Sequence, residues 1–320
     1  MKLLWLFLIT WLLSLIPQTG WADPVPILYH QLTGGEEVYQ VSKRMDLTRL
    51  ALEKGVRFSV LARHNRIDKP YRLKVGTVLK INNTRIIPTD LTHGIVINLP
   101  ELTLYHFHQG VFQRRYALAI GRRDWPTPTG DFYVRNKAKD PTWVVPASIQ
   151  EEMAELGQEV VERVPPGPKN PLGSYWLGLS APGVGLHATN RPWTVGHVVS
   201  HGCMRMLPED ITELYSQVTV GTPVKIIYRP IKLAVTPEGR IYLEAHPDVY
   251  RQKIDGQEWL KNTARHYQLE DRLDWERAFQ VLKAKEGIAQ DVTKSPPITA
   301  TTVNGADRLF SLQKPEASVK

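Results

Sequence analysis

The heptapeptide Ser200-His201-Gly202-Cys203-Met204-Arg205-Met206 is the stretch that decides the character of this chain of 320 residues. It contains the only cysteine in the sequence. A thiol attacks as its thiolate, and an ordinary pKa of about 8.5 leaves little of it ionised at neutral pH. A nucleophilic cysteine therefore needs a base or a positive environment nearby, and the heptapeptide supplies a histidine and an arginine.

His187 is the better candidate for the base. It lies in a different segment from Cys203, so the two side chains can face each other across a cleft, whereas His201 is too close along the chain. No acidic residue occurs between Glu162 and Glu209, an interval that holds several cations. If this segment forms one surface, we expect its potential to lower the pKa of Cys203 and to attract carboxylates.

The residues around Cys203 predict an acyl-transfer site. Gly202 permits a sharp turn, so that the N–H groups of His201, Gly202 and Cys203 can point at one oxyanion. Arg205 can bind a substrate carboxylate, and Ser200 is expected to support the turn by hydrogen bonding rather than to act as a nucleophile. A zinc site made by His187, His201 and Cys203 is an alternative, but it lacks a fourth ligand and the short spacings of structural zinc.

The N-terminus predicts secretion. Lys2 precedes an apolar run over residues 3–16, and Gly20-Trp21-Ala22 places small residues at the positions that a signal peptidase reads. At about 1.5 Å per residue the run reaches about 21 Å, which is short of a hydrocarbon core of about 30 Å. Residues 1–22 are therefore expected to be a cleavable signal peptide that leaves no stable membrane anchor. An uncleaved anchor is the alternative.

Composition and charge narrow the class of protein. Hydrophobic residues make up 42% and charged residues 22%, which excludes wholesale disorder. The net charge of +8 suits an acidic partner. Secretion and the lack of a basic helix with base-reading spacing argue against nucleic acid.

Hydrophobic periodicity divides the rest of the chain. Residues 23–37 are expected to be a linker, and residues 38–88 predict a small βααβ domain whose two helices are capped by Asp46 and Ser59. Residues 93–228 show the alternation of antiparallel hairpins and predict a mainly β domain with one or two helices. The predictions that follow are a hairpin extension at 229–256, a helical segment at 257–287 and a disordered tail at 288–320.

The βααβ segment resembles a LysM domain. The matching residues are Tyr39-Gln40-Val41, Asp46-Leu47, Leu61-Ala62, Asn65 and Val75-Gly76-Thr77. The resemblance implies binding to the N-acetylglucosamine-containing backbone of peptidoglycan or chitin. The alternative is a spacer that binds nothing.

Gly185-Leu186-His187-Ala188-Thr189, followed by the heptapeptide, closely resembles the YkuD family of L,D-transpeptidases. With the LysM-like domain in front, the chain is similar to the Gram-negative ErfK/YbiS/YcfS/YnhG branch. The resemblance implies a β-sandwich catalytic domain over residues 93–228 and a periplasmic location. It also implies that the backbone carbonyl of Ala188, where the family usually has glycine, orients His187.

The resemblance implies a mechanism as well. Cys203 attacks the carbonyl between meso-diaminopimelate and the terminal D-Ala of a peptidoglycan tetrapeptide, and His187 moves the proton to the leaving amine. The N–H groups around His201, Gly202 and Cys203 hold the oxyanion. The acceptor is a stem amine, which gives a 3→3 crosslink, or a lysine of an outer-membrane lipoprotein, and no cofactor or metal is expected.

Two alternatives to a transpeptidase remain open from the sequence. Attack by water would make the same residues a carboxypeptidase or a hydrolase of crosslinks or lipoprotein linkages. A non-catalytic wall-binding protein would depend on the LysM-like domain alone, with Cys203 as an inert buried thiol.

Overall fold

The computed structural model describes residues 26–69 and 71–295, and the predicted signal peptide at 1–22 lies outside this part. The described residues form three modules, each built on its own hydrophobic cluster. The fold is mainly β, as the sequence predicts. Within 26–69 and 71–295, no helix has the length and apolar composition needed to cross a bilayer.

The N-terminal module shows the predicted order of strand, two helices and strand. Its two longer strands pair antiparallel, with Tyr39 opposite Leu79. The elements in this part of the chain are β1 (Leu28–Tyr29), β2 (Leu32–Thr33), β3 (Glu36–Gln40), β4 (Met45–Asp46), α1 (Leu47–Lys54), α2 (Phe58–His64), β5 (Arg72–Leu73), β6 (Val78–Asn82) and β7 (Arg85–Ile86).

Helix α1 begins and ends where its sequence dictates. The Asp46 carboxylate accepts a hydrogen bond from the Thr48 N–H at 2.7 Å, and Gly55 ends the helix with a left-handed φ of 62°. The prediction that Ser59 caps α2 is wrong. The helix already begins at Phe58, and the capping position is Arg57, whose backbone is extended. The apolar faces of both helices meet in one core, which includes Leu47, Leu50, Val60 and Leu61.

The module that carries the predicted catalytic residues, called the catalytic module below, is built on a curled sheet of eight strands in the order β10-β9-β8-β19-β12-β15-β16-β18. Two separate strand pairs, β11-β17 and β13-β14, and two α-helices complete it. Its elements are β8 (Gly94–Asn98), β9 (Thr103–His108), β10 (Val111–Ala117), β11 (Ile120–Gly121), β12 (Gly130–Lys139), β13 (Trp143–Val144), α3 (Ala147–Glu155), β14 (Arg163–Val164), β15 (Tyr175–Leu179), β16 (Gly185–His187), β17 (Val198–Ser200), β18 (Met204–Arg205), α4 (Pro208–Gln217) and β19 (Pro223–Ile227).

Strand β12 is responsible for the curl. Its first half pairs with β19 and its second half with β15, and the register with β15 shifts between Val134 and Asn136. A shift of this kind bends a strand, so the two halves of the sheet turn towards each other. Helix α4 buries Ile211 and Leu214 in the core between them.

The C-terminal module corrects two predictions about domain organisation. The segment 229–256 is no mere extension of the catalytic domain, because its hairpin belongs to a separate four-stranded sheet, β1-β20-β21-β22, covered by two helices. The predicted linker supplies β1 to this sheet. The elements are β20 (Ile231–Val235), β21 (Ile241–Ala245), α5 (Gly256–His266), α6 (Trp275–Ala284) and β22 (Gln290–Asp291).

The prediction that the disordered tail begins at residue 288 places its start too early in the sequence. Ile288, Ala289 and Val292 are buried, and Leu243 pairs with Gln290. Residues 296–320 lie outside the described part. The composition of this segment did not indicate its three buried side chains, because they pack against elements far away in the sequence.

A buried ionic network joins the three modules. The Lys232 ammonium lies 2.7 Å from Glu101 and 3.3 Å from Glu244, and it donates a hydrogen bond to the Ile86 carbonyl. The Ile86 N–H in turn donates to Glu244 at 2.6 Å. All three charged side chains are shielded from solvent. Because an isolated charge is costly to bury, this network fixes how the modules meet.

Candidate active site

Two adjacent parallel strands bring His187 and Cys203 together. Leu186 of β16 is opposite Met204 of β18, and His187 is opposite Arg205. Leu186 and Met204 are fully buried in the core. Because side chains alternate along a strand, His187, Arg205 and the residue before β18, Cys203, lie on the other face of the sheet.

The turn that carries Cys203 is held in one conformation. Gly202 has a φ of 99°, and an added Cβ would meet nothing closer than 3.7 Å, so the backbone angle alone requires glycine. The Ser200 hydroxyl donates to the Cys203 carbonyl, and the Thr127 hydroxyl donates to the Gly202 carbonyl at 2.9 Å. In a trans peptide the Cys203 N–H points away from that carbonyl. Within the described chain, the N–H groups of residues 201–203 have no protein acceptor.

His187 is buried and neutral. Its Nδ1 lies 2.5 Å from the Ala188 carbonyl oxygen, which can only accept, so Nδ1 carries the proton and Nε2 keeps its lone pair. Burial lowers the pKa of His187 to about 4, and the Arg205 charge lowers it further, against the opposing effects of the Ala188 and Pro171 backbone carbonyls. The imidazole can therefore accept a proton at neutral pH.

Trp176 packs against the same imidazole. Its ring stacks on His187 with centroids 6.0 Å apart, and its indole N–H donates to Asn136 at 3.2 Å. A Cβ on Gly185 would lie 2.5 Å from the indole ring, so glycine is required for the ring to occupy this place. The stack is part of the reason that His187 is shielded from water.

The structure corrects the expected ionisation of Cys203. Its thiol lies 3.2 Å from the Gly183 carbonyl and donates to it. Burial raises the pKa of the Cys203 thiol, although the Gly185 backbone and the Arg205 charge both favour the thiolate. The positive surroundings predicted from the sequence are present in Arg205, but desolvation outweighs them. At rest, the Cys203 thiol and the His187 imidazole are both neutral.

Arg205 is a half-buried cation at this site. Its guanidinium contacts the Thr194 hydroxyl at 3.5 Å, and the described residues place no carboxylate within ion-pair distance of it. Burial lowers the pKa of Arg205, and nearby Arg191 lowers it further. The site thus offers a positive charge on the same face as the thiol.

The His201 side chain pairs with a carboxylate of helix α3. Its Nε2 lies 2.7 Å from the Glu152 carboxylate, which also pairs with Arg122 at 2.9 Å. The Trp125 ring meets the imidazole edge-on. The His201 side chain is thus occupied by helix α3, and it does not join His187 and Cys203 in a metal-binding cluster. The one group with metal-ligand geometry in the described part is Glu101, Glu244 and His246, where the Lys232 ammonium already lies.

Comparison with known proteins agrees with this geometry. Residues 92–226 match the YkuD family, described as an L,D-transpeptidase catalytic domain. The chain is 36% identical over 238 residues to the probable L,D-transpeptidase YcfS of Escherichia coli K12, covering 72% of this chain and 74% of that protein. The chain belongs to the YkuD family of L,D-transpeptidases.

Two more relatives lie in the same branch. The probable L,D-transpeptidase ErfK/SrfK of Salmonella typhimurium is 31% identical over 235 residues, covering 69% of this chain and 74% of that protein. The probable L,D-transpeptidase YbiS of Escherichia coli K12 is 37% identical over 175 residues, covering 54% and 57%. The predicted family and branch are confirmed, and the chain is an L,D-transpeptidase enzyme.

Sequence reasoning missed three residues that build the site of this L,D-transpeptidase. Thr127 and Tyr250 hold the turn that carries Cys203, because the Tyr250 hydroxyl accepts from the Thr127 N–H at 3.1 Å and donates to the Gly121 carbonyl at 2.9 Å. The third is Glu152. The available signal for Thr127 was its place between two prolines.

Proposed function

We propose that this L,D-transpeptidase acts on peptidoglycan tetrapeptide stems through Cys203 and His187. The observation that carries the proposal is a neutral imidazole, with its proton fixed on Nδ1, on the same sheet face as a half-buried thiol. The Ala188 carbonyl supports this role of His187, because it selects the tautomer whose Nε2 can take a proton.

Attack and proton transfer occur together in this proposal. The Cys203 sulfur forms a bond to the carbonyl carbon between meso-diaminopimelate and D-Ala as its proton moves to His187. Because burial raises the pKa of the Cys203 thiol, the thiol stays protonated until His187 accepts its proton. The proposal therefore requires no preformed thiolate. Collapse of the adduct breaks the C–N bond, and His187 returns the proton to the leaving D-Ala amine.

The turn before β18 is proposed to hold the oxyanion. The N–H groups of His201, Gly202 and Cys203 are without protein acceptors in the described residues, and Thr127 fixes the Gly202 peptide. Donors that are fixed before the reaction cost no reorganisation when negative charge develops. His201 contributes its backbone to this arrangement, while Glu152 holds its side chain.

Arg205 is proposed to bind a carboxylate of the stem peptide. Its side chain is half-buried and has no ion-pair partner in the described chain, and nearby Arg191 adds a second positive charge. A planar guanidinium matches the geometry of a carboxylate. This charge would select the anionic stem of the wall polymer and place its acyl group against Cys203.

An amine is proposed to resolve the thioester. A side-chain amine of a second stem would give a 3→3 crosslink, and a lysine of an outer-membrane lipoprotein would attach that protein to the wall. These acceptors fit a periplasmic enzyme whose predicted signal peptide, residues 1–22, has been removed. Water as the acceptor would make the enzyme a carboxypeptidase.

The N-terminal module is proposed to bind the glycan of the wall as a LysM domain. The strand–helix–helix–strand order and the pairing of β3 with β6 support this proposal. Retention of the whole protein on purified sacculi tests it. Loss of retention on substituting residues of the N-terminal module, with unchanged D-Ala release, is the expected result.

The catalytic proposal is tested with a disaccharide-tetrapeptide and the protein from Asp23 onward. Mass spectrometry is expected to show a dimer that has lost one D-Ala, and none of it with Cys203→Ala. Tripeptide alone would show hydrolysis, and unchanged products with Cys203→Ala would overturn the role of Cys203.

A further inference from the structure

A cavity of about 1130 Å³ separates the N-terminal module from the catalytic module. One wall is the turn between α1 and α2, and the opposite wall is strand β10 with residues 195–198. Those residues lead directly into the turn that carries Cys203. The proposed function uses no side chain of this cavity.

Most cations of the cavity are paired within the protein. Arg49 pairs with Glu53 at 2.7 Å, and Lys54 pairs with Glu37 at 2.9 Å. Arg114 pairs with Glu213 and lies 3.4 Å from Asp210. These ion pairs are satisfied without a ligand.

Arg115 is different. Its Nη2 donates to the backbone carbonyls of Asn83 at 3.0 Å and Lys54 at 3.5 Å, and the described residues place no carboxylate within ion-pair distance. Its Nη1 is shielded from solvent and has no hydrogen-bond partner in the described chain. The shielded Nη1 does not reach the cavity, but the Arg115 side chain lines it and carries a charge without an ion-pair partner, so it can attract an anion there.

The charges behind Arg115 are unbalanced. Arg85 and Lys232 face Glu101 and Glu244, which gives equal numbers of positive and negative groups. Arg115 borders this network and adds a positive charge that no carboxylate neutralises. Burial and the Arg85 charge lower the pKa of Arg115, and they outweigh the opposing effects of Tyr105, Glu244 and Glu101.

We propose that the cavity binds a carboxylate of a second peptidoglycan stem through the positive charge of Arg115, whose side chain lines it. The choice of a stem rests on the proposed function, whereas the preference for an oxyanion rests on the cavity alone. Because both the N-terminal module and the catalytic module line the cavity, a bound stem would position the wall polymer across both of them. Inorganic phosphate also presents anionic oxygen acceptors, so it is the second ligand in the test.

The probe is disaccharide-tripeptide, which lacks D-Ala and so cannot acylate Cys203. Calorimetric titration of the whole protein is expected to show binding that becomes about 10- to 100-fold weaker in Arg115→Met, the range expected for losing a hydrogen bond to a charged group. Arg114→Met is the matched control, because Arg114 lines the same cavity but is already paired, and its effect should be under about threefold. Arg115→Met should weaken tripeptide binding by the same factor in a protein that also carries Arg205→Met. That result would exclude the catalytic site as the place where the tripeptide binds.

Three results would overturn the inference. These are equal binding by Arg115→Met and wild type, a dependence on Arg115 for phosphate but not for tripeptide, and loss of the dependence in Arg205→Met. If Arg115→Met does not fold, Arg115→Lys keeps the charge and should retain tripeptide binding that salt weakens; no binding would count against the site. D-Ala release from tetrapeptide is measured separately, so failure of the catalytic proposal is distinguishable.

Discussion

At the scale of single residues, the site combines a protonated thiol with a base that burial keeps neutral. The motif around Cys203 named the candidate residues because its chemistry is local, and their roles stay predictions. Their ionisation was not predictable, since it depends on burial that a linear sequence does not display. Arg205 favours the thiolate as expected, yet desolvation of Cys203 outweighs its effect.

The first prediction concerns pH. Because His187 must be neutral to accept a proton and its pKa is about 4, kcat/KM should be level from about pH 5 to 8 and fall below about pH 4. Burial raises the pKa of Cys203, so the rate of alkylation by iodoacetamide should increase with pH and reach half its maximum at a higher pH than for an ordinary cysteine. A midpoint below neutrality would show a preformed thiolate–imidazolium pair and contradict the mechanism.

The second prediction concerns the backbone at Gly202. Gly202→Ala should destabilise the fold by about 1–2 kcal/mol, because a left-handed φ is unfavourable for alanine. It should also reduce kcat about 100- to 1000-fold through misaligned oxyanion donors. Gly221, with a φ of 91° and open space around its Cα, provides the control. Gly221→Ala should lose similar stability and keep its kcat, and equal kcat losses in both variants would contradict the role of the turn.

At the scale of elements, helix α3 is attached to the site by charge rather than by apolar packing. None of its residues is buried, and Glu152 links it to Arg122 and His201. The sequence predicted elements whose caps and periodicity are local, such as α1 with Asp46 and Gly55. It did not predict the Glu152–His201 contact, which joins residues 49 positions apart.

The third prediction follows from this attachment. Glu152→Gln should release α3 and raise its amide hydrogen exchange about two- to fivefold, since ion pairs near the surface contribute little to stability. Glu151 is on the same helix, is exposed and has no ion pair in the described part, so Glu151→Gln is the control. Added salt should reproduce the effect of Glu152→Gln in the wild type. Unchanged exchange in Glu152→Gln would show that α3 is held by other contacts.

At the scale of the whole molecule, the predicted boundaries failed where distant segments share a sheet. The hairpin at 231–245 was visible in the sequence, but its partners β1 and β22 are two-residue strands at opposite ends of the described chain. Strands this short carry no periodicity. The buried network around Lys232 was equally hidden, because each of its charged residues is unremarkable in its own segment.

The fourth prediction tests that network. Lys232→Met leaves Glu101 and Glu244 buried without their central cation and should cost about 3–5 kcal/mol. The modules should then unfold in separate calorimetric transitions rather than together. Lys225→Met is the control, because Lys225 makes an exposed pair with Asp131 whose loss should be within about 1 kcal/mol. A stability of Lys232→Met equal to that of Lys225→Met would contradict the proposed junction.

The pairing of β1 with β20 also sets an order of events during biogenesis. Leu28 lies beside Leu233, and His30 contacts the Val235 carbonyl across 205 positions of sequence. Pairings this remote form slowly, because the intervening chain must be brought to order first. The early strand therefore remains unpaired until the residues beyond 233 have been synthesised.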